Sequence, residues 1–177
     1  MKKVTFLVVM LAFFANISMA QNKERVNAFN YNKNAQSYIT TAEQLMVQNR
    51  VDKAQKQMAN AKIELTRAKT SIDLAAENEE TKNDAKTWHY YGVIYLKIAT
   101  YPEFNDIDTD ALSKCADAFR KLVELDETYF KNNYGEIITY IQSITTNYFN
   151  QGALFYEAGD YAKAIECYKQ AYNTMAI

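Results

Sequence analysis

Four glycines and a single proline are spread over 177 residues. β-rich folds turn often and need such residues at their turns, so this scarcity points to helices joined by short polar connections. Scattered glycines of this number cannot build a phosphate-cradling loop. Histidine occurs once, at His89. No second imidazole is available for a zinc cluster of paired histidines, and no Cys or acidic residue stands three or four positions from His89. No Ser-His-Asp or Cys-His set stands at a recognisable spacing either. The two cysteines, Cys115 and Cys167, lie far apart on apolar stripes and are expected as small buried hydrophobes rather than a bridge.

A basic excess is also missing. The first twenty residues read as a secretory signal: Lys2 and Lys3, an apolar run from Val4 to Ala15, then the small residues Ser18-Met19-Ala20. Cleavage after Ala20 is expected to leave a chain starting at Gln21. Removing Lys2 and Lys3 leaves 18 basic against 21 acidic residues, a formal charge of −3. That balance lacks the cationic surplus that nucleic-acid binding requires. The apolar run is short for a membrane span, and none is expected after cleavage. About 157 residues then remain, enough for one domain with a core.

What the chain has in abundance is helix-forming residues and fourteen tyrosines. Its clearest pattern is Tyr148-x-x-Gln151-Gly152-x-x-Phe155, then Gly159-Asp160-Tyr161, then Ala164-x-x-x-Tyr168-x-x-Ala171. This spacing predicts two amphipathic helices about a glycine turn, with Gly152 and Ala164 as the small residues of a close crossing. The segment resembles the tetratricopeptide repeat, with Tyr148 for its Trp, Gln151 for its Leu and Ala176 where its Pro would fall.

A second copy, Trp88-x-x-Tyr91-Gly92-x-x-Tyr95, is followed by Cys115-x-x-x-Phe119-x-x-Leu122. The spacing between its halves is too long, and Thr100 to Asp110, holding the proline, reads as a loop inserted in the inter-helix turn. Asp106, Asp108 and Asp110 there open like a calcium loop, but Ala111 stands in place of the required Gly and Asp117 in place of Glu. Thr109 and Asp110 read instead as N-caps for a helix from Ala111. A third, weak copy pairs Tyr38, Ala42 and Leu45 with Ala54, Met58 and Ala61 about a turn at Asn49-Arg50. Its second stripe runs on through Leu65, Ala68 and Ile72 to Ala75, as one long helix or two. Glu77 to Asp84 is a polar connection. Ile137, Ile138, Ile141 and Ile144 predict an N-terminal extension of the last first-helix.

The resemblance implies an all-α α-solenoid of tetratricopeptide-type hairpins after the signal peptide. Residues 21–34 would form a lead-in and 35–177 the repeat domain: a weak repeat at 35–80, one with the inserted loop at 85–128, and a good one at 145–177. In that family the first helices line a groove for a peptide or partner helix. Its groove positions fall here on Lys86, His89, Tyr90, Val93 and Lys97, and on Phe149, Asn150, Ala153, Tyr156 and Glu157. The subgroup that clamps acidic chaperone C-termini needs Lys and Asn where Phe149 and Ala153 stand, so that activity is not expected. The aromatics either anchor an apolar ligand or pack an adjacent helix.

The expected function is therefore a non-enzymatic protein-binding scaffold, periplasmic or secreted, without cofactor or metal. The alternative is a glycan- or nutrient-binding accessory of an outer-membrane uptake system, since helical-repeat scaffolds also support carbohydrate binding. Tyr172, Met175 and Ile177 extend the last apolar stripe with no polar cap. The expectation there is further repeats or association with another chain, the alternative being simple fraying.

Overall fold

A computed structural model describes residues 2–177, with side chains described from Lys23 onward. The cleavage site expected at Ala20 lies outside the residues whose side chains are described. Among the described residues the chain is all-helical: α1 (Lys2–Val47), α2 (Val51–Glu77), α3 (Ala85–Thr100), α4 (Ala111–Leu125), α5 (Glu127–Asn132), α6 (Tyr134–Glu157) and α7 (Tyr161–Met175). No helix among the described residues is long and apolar enough to cross a membrane.

The first hairpin forms because small residues recur every three or four positions on both partners. Ala28, Ala35, Ile39 and Ala42 of α1 are buried, as are Ala54, Ala61, Leu65, Ala68, Ile72 and Ala75 of α2. Alanines on facing stripes bring the helix axes close. The chain reverses at Asn49, whose φ of 57° is left-handed, and the Arg50 amide donates to the Leu45 carbonyl at 2.9 Å. Asparagine tolerates this conformation where most side chains do not. The stripe from Ala54 to Ala75 is one continuous helix, which settles the choice left open by its spacing. The lead-in expected over 21–34 is part of α1, with Ala28 already fully buried.

The second hairpin, α3 with α4, carries the insertion where the spacing placed it. α3 ends at Thr100, Pro102–Phe104 form one 3₁₀ turn, and α4 begins at Ala111. Phe104 is fully buried and plugs the insertion into the core. Asp108 meets Lys114 at 2.6 Å and Lys69 of α2 at 3.5 Å, and Asp106 meets Lys62 at 2.6 Å. The cap expected from Asp110 is not made: its side chain bonds no helix amide, while Asp108 Oδ1 accepts from the Asp110 amide at 3.0 Å. The lysines draw Asp108 inward and leave the cap position with backbone alone.

The short helix α5 went unforeseen, since six residues are too few to show a periodicity. Asp126 caps it, accepting from the Tyr129 amide at 2.8 Å. α6 then runs for 24 residues, and the extension expected from the isoleucines is its first half. There Ile137, Ile141 and Ile144 are buried. Its second half carries α7, reached through Gly159 at φ 79° and capped by Asp160 on the Lys163 amide. α3 packs against α1 and α2 and also against α6, so the hairpins adjoin in chain order.

Candidate partner-binding surface

The ten groove positions divide sharply between the two repeats. On α3 the chain covers its own face. His89 is 5% exposed; its Nδ1 lies 3.0 Å from the Tyr129 hydroxyl, and its ring is surrounded by Phe119, Tyr129 and Tyr140. Burial holds this imidazole below its ordinary pKa, against the pull of the Glu136 carboxylate. Lys97 donates to Asn32 Oδ1 at 2.7 Å, and burial lowers its pKa to about 8. Tyr90 is half-buried against Phe29, ring centroids 5.3 Å apart, and Val93 packs on the core. Only Lys86 is exposed, with its ammonium 5.7 Å from the Tyr90 ring. Of the two readings of the groove aromatics, packing against neighbouring helices describes Tyr90, and His89, Val93 and Lys97 are covered with it.

On α6 four of the five positions are exposed. Phe149 is 58% and Tyr156 60% exposed; Asn150 and Glu157 are exposed and Ala153 half-buried. The signature glycines set the correspondence, Gly92 with Gly152, so His89 matches Phe149, Val93 matches Ala153 and Leu96 matches Tyr156. His89 is covered by α5 and α6, the helices that follow its hairpin. Phe149, at the matching position, is exposed and packs on its own hairpin, 5.4 Å from the Tyr168 ring. Leu154, Tyr161, Ile165, Tyr172 and Met175 are exposed as well. Isolated apolar side chains on a surface mean little, but this many within one hairpin make it the candidate interaction surface.

The repeat signature residues do what small-against-aromatic packing demands. A Cβ on Gly152 would fall 2.7 Å from the Tyr168 ring, and one on Gly92 would fall 2.6 Å from the Phe119 ring. Both hairpins thus cross where a glycine admits the aromatic that stands four residues after Ala164 or Cys115. Ala164 and Ala171 are buried, and Phe155 is half-buried with the Lys163 ammonium 5.3 Å from its ring. Trp88 donates from Nε1 to the Lys82 carbonyl at 2.6 Å and lies beneath the Lys121 ammonium at 3.8 Å. Tyr91 stacks on Tyr95, whose hydroxyl donates to Asp73 of α2 at 2.7 Å.

A family model of the tetratricopeptide repeat matches residues 146–174. The chain carries a tetratricopeptide repeat. The match covers the α6–α7 crossing, and the Gly92–Phe119 crossing repeats its packing in α3–α4 outside the matched residues. No curated protein and no solved structure matches the chain.

Spacing did not reveal the residues that close the α3 face: Phe29 and Asn32 on α1, Tyr129 on α5 and Tyr140 on α6. Only Tyr140 carried a signal, standing on the Ile137–Ile144 extension. Cys115 is fully buried with its thiol 3.1 Å from the Gly92 carbonyl, and Cys167 is half-buried. Both are free, and burial raises both thiol pKa values. Among the described residues no cluster of His, Cys, Asp and Glu could hold a metal.

Proposed function

We propose that this chain is a non-enzymatic scaffold that binds an amphipathic helix of a partner protein on the α6–α7 hairpin. Tetratricopeptide repeats mediate protein–protein interaction. One observation carries the choice of surface: Phe149 is open where its counterpart His89 is covered by a following helix. A partner helix seated there would place apolar side chains against Phe149, Ala153 and Tyr156, the helix-in-groove mode of recognition. Asn150 and Glu157 would supply its polar edge. Lys2-Lys3, the apolar run and Ser18-Met19-Ala20 support an exported scaffold, periplasmic or secreted, serving the cell envelope. Each hairpin packs on its neighbour in order, in keeping with a short solenoid.

Capture from envelope extracts tests this on immobilised protein. The same partner should be held by wild type and by the exposed control Gln142→Lys, and lost by Phe149→Lys/Tyr156→Lys. Aromatic anchors of this kind cost about tenfold or more in affinity when replaced. A partner retained undiminished by the double variant would remove the surface from consideration.

A second reading has one observation of its own. Tyr156 and Tyr161 are both exposed, their rings edge-to-face at 5.3 Å, and exposed tyrosine rings are surfaces on which sugars stack. That reading makes the chain a glycan-binding accessory of an uptake system, and a glycan array with wild type and Tyr156→Ala separates the two.

A further inference from the structure

The insertion between α3 and α4 builds a feature that a plain hairpin lacks. Its 3₁₀ turn lies across one end of the α1–α2 hairpin, tied there by three contacts of different kinds. Phe104 is buried, the Tyr101 hydroxyl donates to Glu43 Oε1 at 2.9 Å, and Lys62 pairs with Asp106. Between the turn and the hairpin is a cavity of about 560 Å³. That size falls within the range of small-molecule sites, which are mostly apolar with a few placed polar groups.

The walls fit that description. Met46, Val51, Ala54 and Met58 supply the apolar surface, and methionine adapts to ligands of irregular shape. The polar groups are of one net sign: Glu43 and Glu103 are carboxylates, and the wall's lysine, Lys62, is already matched by Asp106. A guest is therefore met by hydrocarbon and by the two exposed carboxylates of Glu43 and Glu103.

We propose that this cavity binds a small amphiphilic cation, with its apolar body among the methionines and its protonated amine at Glu43 and Glu103. The site is separate from the α6–α7 surface and stands or falls independently of it.

Isothermal titration of the full chain with decylammonium and with decanoate, both below micelle formation, provides the test. Decylammonium should bind saturably and about tenfold more tightly than decanoate. Glu43→Gln/Glu103→Gln should erase that preference; the amide oxygen that Glu43→Gln leaves in place still accepts from the Tyr101 hydroxyl, so the turn stays anchored. Ala59→Trp, made at an exposed position of the wall, should fill the cavity and abolish binding while leaving the thermal melt unchanged. Equal binding of the two amphiphiles, binding untouched by Ala59→Trp, or no saturable binding of either would overturn the proposal.

Discussion

Single atoms decide whether these hairpins close. The Gly152 position has no room for a side chain, since even a methyl group would meet the Tyr168 ring at 2.7 Å. Gly152→Leu and Ala164→Leu should each destabilise the chain by roughly 1–3 kcal/mol through overpacking, read as a fall in denaturant midpoint. Gly92→Ala should act the same way against Phe119. Unchanged midpoints for all three would mean that the crossings are wrongly placed. His89 makes a different prediction, because its folded pKa lies below the unfolded value. The unfolded chain then binds the proton more readily, so stability is full above the ordinary histidine pKa of about 6.5 and falls as pH drops below it. Melting temperatures between pH 8 and pH 5 should decline more steeply for wild type than for His89→Gln. Parallel declines would show that this ring does not titrate in the way its burial requires.

The elements themselves were largely legible in the sequence, and the reasons are physical. The Ala54–Ala75 stripe and the Asn49 turn are local patterns, set by residues within one or two turns of each other, and the glycine crossings join helices adjacent in the chain. What escaped was cross-chain. That α1 would reach Tyr90 and Lys97 through Phe29 and Asn32, or that α5 would bring Tyr129 to His89, depends on residues some forty to sixty-five positions away. The repeat resemblance placed ten positions in a groove, but it could not tell which of them the chain's own neighbours would cover. The insertion is an intermediate case: its boundaries were readable, its anchoring was not. Asp108 is nearly buried between Lys69 and Lys114, whereas Asp106 and Lys62 are substantially exposed. Asp108→Ala should therefore cost about 1–3 kcal/mol, by stranding partly buried charge. Asp106→Ala should cost clearly less, because water screens an exposed pair. Urea unfolding of the two variants checks the order; a larger loss for Asp106→Ala would reverse this account of how the loop is held.

Across the whole molecule the packing is uneven, and that unevenness should be visible in its motions. α3 is wrapped by α1, α2, α4 and α6, and its Ile94, Tyr95 and Ile98 are almost fully buried. α7 rests mainly on α6 and buries only Ala164, Ala171 and Thr174, while Tyr172 and Met175 face outward. In a chain of stacked hairpins each unit is held by itself and its nearest neighbours, so the unit with fewest neighbours opens at the lowest free energy. Hydrogen exchange followed by mass spectrometry should find α7 amides exchanging well before those of α2 and α3. The same experiment bears on function: a helix seated on Phe149 and Tyr156 adds the neighbour that this hairpin lacks, and should slow exchange in α6 and α7 selectively. If α7 is instead as protected as α3 in the free chain, its hairpin is held by contacts beyond those of α6. An open face on that hairpin would then have no energetic need of a partner.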